Sequence, residues 1–281
     1  MQQGQPSRTV LGAAFHRAAH QVLESGFIFA DPLAVRILGA DAPAAIAAAK
    51  TDSSRRKLRL FIAVRTRFAE DALAAAVAGG VRQLVVLGAG LDTYAYRAVP
   101  VAGLRVFEVD HPATQAWKRQ RLVEAAIPVP RALTFAPVDF ERETLAGGLT
   151  AAGFDLAQQT FFTWLGVVPY LREPAVFSTL AFIAGLSGGA QVVFDYGNPP
   201  ASNTGQDEYA AMHEELAARV ASLGEAFQTY FETDVLHAKL TAMGFREVED
   251  LGPALIRERY FAIRGGSLPD RGGHIVRATT V

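Results

Sequence analysis

Residues 81–87, VRQLVVL, make a short apolar run with β-branched members, and Gly88-Ala89-Gly90 follows at once. A run this short and this apolar reads as a strand covered on both faces. Glycines directly behind it let the backbone turn sharply and come close to a ligand. A second apolar run, Leu104 to Val109, closes on Glu108 and Asp110. In a parallel sheet, ligands sit beyond the carboxyl ends of the strands, beside such a turn. An acid at the tip of the second strand can accept the hydroxyls of a ribose, and Asp110, twenty positions after Gly90, has the spacing for it. The stretch is built to hold a nucleoside-bearing cofactor.

The alternation of strand and helix continues from there. Helical patterns over 113–126, 141–152 and 173–186 separate strands predicted at 133–138, 159–164 and 190–194. That order calls for a parallel sheet with right-handed crossovers. The first 80 residues read as helices: 9–24, a second opened by Asp31-Pro32 and running to Gly39, and a long third from Asp52 or Ser53 to Gly79-Gly80. After Asp195 a polar, turn-rich stretch leads into two more helical patterns, about 207–223 and 233–243. Residues 245–251 and 274–280 then read as a closing hairpin, with 257–273 as the loop between them. The whole chain of 281 residues is expected to form a single domain. Its parts are a helical cap over 1–80, a cofactor-binding core over 81–195, a lid over 196–244 and C-terminal strands over 245–281.

Composition narrows the partners. The net charge is −1, so nothing in the balance points to nucleic acid. There is no cysteine, which excludes disulfides and thiolate metal sites and fits a reducing cytoplasm. The first twenty residues lack the apolar core of a secretory signal, and no stretch approaches the roughly 20 apolar residues of a membrane span. A cytoplasmic protein, monomer or homodimer, without membrane or metal, is the expectation. His16 and His20 stand one helical turn apart but have no third ligand beside them, and SSRRKLR is a short basic cluster. Both read as solvated surface.

The glycine turn departs from a dinucleotide fingerprint. GAGLDT has Thr93 where a third small residue would let a pyrophosphate approach the helix start. That favours S-adenosylmethionine over a nicotinamide dinucleotide. Asp139 closes the third strand and, with Phe140 beside it, suits an adenine ring.

Taken together, RTRFAED, LVVLGAGLDTYAYR, FEVDHP and APVDF resemble the leucine carboxyl methyltransferase family and its bacterial relatives, from about Gly26 to Asp195. The resemblance implies a class I methyltransferase-like fold: a doubly wound, mostly parallel seven-stranded sheet with an N-terminal helical cap and a helical lid after the fifth strand. It implies an S-adenosyl-L-methionine-dependent O-methyltransferase. Arg65 would grip the methionine carboxylate, with Arg67 as its competitor. Gly88 and Gly90 would lie under the methionine portion, Asp110 and its neighbour Glu108 at the ribose, and Asp139 and Phe140 at the adenine. Where relatives carry a glutamate facing the cofactor's ammonium, this chain has Leu165, leaving backbone carbonyls near Trp164 and Leu165 for that role.

Tyr170, Asp195, Tyr196 and His213 are the candidates for the acceptor, with Tyr230 on the lid. No residue is marked as a general base, which favours a carboxylate on a small molecule, already ionised at neutral pH. A hydroxyl acceptor, a non-catalytic binder of the same cofactor and a nicotinamide-dependent oxidoreductase are the competing readings.

Overall fold

The computed structural model describes residues 8–139, 142–200, 226–263 and 271–281, with positions 214, 217, 218 and 221. Phe140 and His213 lie outside the described residues, as does most of the predicted helix over 207–223. The elements in order are α1 (Arg8–Leu23), α2 (Ala42–Thr51), α3 (Arg56–Ala78), β1 (Gln83–Leu87), α4 (Tyr94–Arg97), β2 (Arg105–Asp110), α5 (Pro112–Glu124), β3 (Leu133–Pro137) and α6 (Leu145–Ala151). They continue with β4 (Thr160–Trp164), α7 (Glu173–Ala184), β5 (Ala190–Gly197), α8 (Thr233–Ala242), β6 (Glu247–Leu251), α9 (Pro253–Phe261) and β7 (Gly273–Thr279).

The seven strands form one sheet in the order β3-β2-β1-β4-β5-β7-β6. The first five are parallel, and β7 runs antiparallel between β5 and β6. The winding direction reverses between β1 and β4, so the loops after those two strands bound the crevice where an open α/β sheet takes its ligand. Successive β1 residues serve opposite faces: Val85 and Leu87 join the core under α6, α7 and α8, and Leu84 and Val86 the core under α3. A strand covered on both sides has no polar face, which is why the run in the sequence is continuous rather than alternating.

A third apolar cluster joins Ala14, Ala18, Ile37, Leu38, Leu91 and Leu122, so the helices before β1 cover the carboxyl end of the sheet over α5. Three expectations need correction. The helix expected over 32–39 is a series of turns ending in a 3-10 turn, Arg36–Asp41, because Gly39 leaves helical geometry (φ 55, ψ −127). Helix α2, started by Pro43 after that break, was not foreseen. Nor was α9, which starts at Pro253 and runs into the stretch taken for the hairpin loop. Among the described residues no helix is long and apolar enough to cross a membrane.

Candidate functional site

The glycine turn is tightly enclosed. Gly88 (φ +65) and Gly90 (φ +43) both take the left-handed conformation that side chains resist. A Cβ on Gly88 would lie 2.4 Å from Val167 Cγ2, and one on Gly90 would lie 2.8 Å from Val10 Cγ1. The loop after β4 and the helix α1 therefore meet over the turn. Asp110 at the tip of β2 holds its shape by accepting the Gly90 N–H at 2.6 Å and the His111 N–H at 2.7 Å. Burial pushes the Asp110 carboxyl up, and the two amides counter this.

Arg65 points inward from α3 and is 9% exposed. Its Nη1 donates to Asp195 Oδ2 at 2.8 Å, while Asp195 Oδ1 accepts the Gly166 N–H at 2.6 Å. The Arg65 Nε–H is buried without a hydrogen-bond partner. Gly166 (φ +71) is needed here, since a Cβ would stand 2.6 Å from Arg65 Nη2. Arg65, Gly166, Val167 and Gly88 thus form one chain of contacts across the β1–β4 crevice. Arg67 points the other way, exposed and paired with Asp71 at 2.8 Å.

Beneath the cap lies a buried polar network that the sequence did not disclose. Asp31, 1% exposed, accepts the Thr93 hydroxyl at 2.7 Å and the Leu33 N–H at 3.0 Å. Arg17 and Arg97 flank it at 3.7 and 3.6 Å. Arg97 also donates to Thr93 and forks onto Glu70, and Arg17 donates to the Leu91 carbonyl. Thr93, which in the sequence only marked a departure from a dinucleotide motif, ties the glycine loop to the cap. Asp31-Pro32 was legible as a turn, but its partner sixty-two positions away was not.

Glu108 lies below the strand tip, 1% exposed, with Lys118 Nζ at 2.8 Å and the Tyr96 hydroxyl donating at 3.1 Å. Burial pushes its carboxyl up to about 7 against the pull of Lys118. This is an internal ion pair, so Asp110 alone stands at the tip. Asp139 follows β3 and is partly exposed, its N–H donating to Glu143 at 3.0 Å and its carboxylate 3.7 Å from Arg142. Trp164 is buried against Phe194, and Leu165 packs toward α3 beside Thr66, Glu70 and Tyr94.

The structure separates two residues that the sequence had grouped. Asp195 and Tyr196 are consecutive on β5 and therefore project to opposite faces. Tyr196, 2% exposed, donates to Asp250 Oδ2 at 2.8 Å and stacks on His274 with ring centroids 4.8 Å apart. Asp250 is also met by His237 at 2.7 Å and His274 at 2.8 Å, and His274 together with the Tyr196 hydroxyl holds its carboxyl below the usual range. Tyr170 packs its ring on Phe227 at 5.2 Å, and Tyr230 meets the same Phe227 edge-on at 6.3 Å.

The two α1 histidines also differ from the expected solvated surface. His20 is fully buried, 3.3 Å from Glu24, and His16 is pushed down to about 4 by burial and by Arg55, Arg59 and Arg65. Arg59, 3% exposed, forks onto Glu24 at 2.9 and 2.7 Å and keeps Nη1 without a partner. Among the described residues no three histidines or acids are placed to hold a metal. A surface hollow of about 490 Å³ opens between β3 and α6, lined by Phe135, Pro137, Glu143, Gly147 and Ala151, away from the β1–β4 crevice.

The profile of the leucine carboxyl methyltransferase family matches residues 10–184, well over half of the chain. This chain belongs to that family. Among similar proteins, YktD of Bacillus subtilis, named as an S-adenosyl-L-methionine-dependent methyltransferase, is 28% identical over 95% of both chains. A Mycobacterium avium protein with the same designation is 33% identical over 77% of this chain and 74% of its own. One from Frankia alni is 38% identical over 64% of each. Among solved structures, magnesium protoporphyrin IX methyltransferase from Synechocystis superposes with a TM-score of 0.48 at 12% identity, over 80% of this chain and 87% of that one. The family match spans every residue of the crevice described above except Asp195, which β5 adds from beyond its end.

Proposed function

We propose that this protein methylates a carboxylate oxygen of a small acceptor enclosed between the cap and the β1–β4 crevice, as one domain spanning the chain. Membership of the family makes it a methyltransferase that draws on S-adenosyl-L-methionine. The observation that carries the placement of this cofactor is the meeting of Arg65 with Gly166 and Val167 beside the Gly88 turn. The residues fit the group. Arg65 offers an unpartnered, buried Nε–H to a carboxylate, and Asp110 keeps lone pairs for two hydroxyls. Asp139 stands at the next strand tip for the adenine amino group.

When bound, the cofactor supplies an electrophilic methyl group on sulfur, and the protein has to align an acceptor with it. Alignment of two reactants lowers a barrier by roughly 7–11 kcal/mol in favourable cases. The surroundings of α1 and α3 support an anionic acceptor. The charges of Arg55, Arg59 and Arg65, together with burial, hold His16 uncharged, and the Arg59 Nη1 donor is unpaired. A buried carboxylate needs such donors to offset its lost hydration. An ionised carboxylate needs no proton removed, which agrees with Tyr196 being engaged by Asp250.

Two measurements test this reading. Calorimetry is expected to show binding of S-adenosylhomocysteine and none of NAD. Incubation with methyl-labelled S-adenosylmethionine and a panel of small carboxylic acids is expected to give a base-labile methyl ester. A base-stable ether as the product would replace the carboxylate with a hydroxyl acceptor.

A further inference from the structure

We propose that Asp195 is the counter-charge for the α-ammonium group of the cofactor, so that Arg65 and Asp195 together read both charges of its amino-acid end. The inference rests on the cofactor placement given above. It concerns a residue beyond the matched family region, on a strand whose sequence alone pointed to the acceptor.

Asp195 is 4% exposed, and each of its oxygens accepts one hydrogen bond, Oδ1 from Gly166 N–H at 2.6 Å and Oδ2 from Arg65 Nη1 at 2.8 Å. A carboxylate has about four acceptor positions, so each oxygen keeps one. On the arginine, Nη1 is committed to Asp195 while Nε–H has no partner. The edge formed by Nε and Nη2 is the one that takes a carboxylate side-on with two bonds. A buried donor left unpaired costs free energy that an arriving carboxylate recovers.

The geometry of an α-amino acid does the rest. Its ammonium sits on the carbon next to the carboxylate, so a carboxylate held by Arg65 brings the ammonium beside the same guanidinium. Asp195 is the acid that touches that guanidinium. Nearby alternatives are engaged elsewhere: Glu70 is forked by Arg97, and Asp92 Oδ1 caps the Tyr94 N–H at 2.8 Å. Position 165, directly before the Gly166 amide that Asp195 binds, is a leucine and offers no side-chain charge. Asp195 thus brings a carboxylate from β5 to the loop after β4, where the local sequence provides none.

The test compares two ligands on Asp195→Asn by calorimetry: S-adenosylhomocysteine and its deaminated analogue, in which the α-amino group is replaced by hydrogen. Loss of one charged hydrogen bond is expected to weaken S-adenosylhomocysteine by about tenfold to a hundredfold. The deaminated analogue is expected to bind wild type and variant within about twofold of each other, and Asp92→Asn to leave the ratio of the two ligands unchanged. If Asp195→Asn weakens both ligands equally, Asp195 only positions Arg65 and the proposal is overturned. It is equally overturned if S-adenosylhomocysteine binding does not change. Wild-type protein that fails to bind S-adenosylhomocysteine at all removes the cofactor placement, and this inference with it. Should Asp195→Asn not fold, a wild-type crystal structure with S-adenosylhomocysteine decides. An Asp195 oxygen within about 3.2 Å of the α-nitrogen is expected, and one beyond hydrogen-bond reach overturns the assignment.

Discussion

Asp110 carries two tasks on one carboxylate. It shapes the glycine turn through Gly90 N–H and, in the proposed function, keeps lone pairs for a ribose. Asp110→Ala is expected to weaken S-adenosylhomocysteine by about tenfold to a hundredfold, with an unchanged far-UV spectrum. Calorimetry and circular dichroism on the same sample check both halves. His16 gives a residue-scale prediction of another kind. Its imidazole titrates at about 4 in the folded protein and near 6.5 when unfolded. As pH falls from 6.5 toward 4, the unfolded chain binds a proton that the folded form refuses, so stability declines over that window and levels off below it. His16→Gln is expected to remove at most about 3 kcal/mol of that decline. The difference between wild-type and variant urea midpoints at pH 7 and pH 4.5 reads it. Both residues were visible in the sequence. Asp110 was legible because strand-tip acids announce themselves by spacing. The state of His16 was not, because Arg59 and Arg65 of α3, and Arg55 just before it, act on it only once α1 packs nearby.

At the scale of elements, the turn after β1 is set by neighbours as much as by its own glycines. Gly88→Ala combines a left-handed backbone with a Cβ 2.4 Å from Val167 Cγ2. The strained conformation alone costs about 1–3 kcal/mol, and displacement of Val167 disturbs the loop that holds Gly166 against Arg65. The variant is expected to lower the melting temperature and weaken cofactor binding together. Adding Val167→Ala is expected to recover part of the melting temperature by clearing the contact, but not the backbone strain. Thermal unfolding of the two variants separates the contributions; equal melting temperatures would show that Val167 yields freely. The run VRQLVVLGAG revealed strand and turn, yet Val167 and Val10, which close over it, stand far away in sequence. The helices α2 and α9 were missed for a more local reason. Their alanine-rich and charged stretches have weak periodicity, and a proline start sits behind a glycine break in one and just ahead of what read as a loop in the other.

Over the whole molecule, the antiparallel edge is joined to the parallel core by a buried polar knot. Asp250 of β6 meets His274 of β7, Tyr196 of β5 and His237 of α8, while Asn198 accepts from His274 and Gly272 and donates to the Phe231 carbonyl. Arg271 adds bonds to Glu232 and the Pro199 carbonyl. The knot ties the chain at 196–200, at 231–237 and at 271–274. Tyr196→Phe removes one donor from a charged acceptor and is expected to cost about 1.5–3 kcal/mol, measured by urea unfolding. Methyl transfer is expected to keep its pH profile, since the hydroxyl serves Asp250. A profile that loses a limb in this variant would return Tyr196 to the acceptor site.

The sequence by itself determined the class of fold, the glycine turn with its strand-tip acid, and the family, because each depends on residues that are neighbours in the chain or are separated by a fixed strand-helix-strand spacing. Tertiary structure alone decided which of Arg65 and Arg67 points inward, that Glu108 is spent on Lys118, that Thr93 belongs to Asp31, and that Asp195 faces Arg65 while Tyr196 turns away. Those outcomes follow from which face of a helix or strand is covered and by what, and the covering residues come from elements far apart along the chain. Burial then sets the charges: an acid or histidine enclosed among partners from several elements acquires its state from their sum, which no local pattern records.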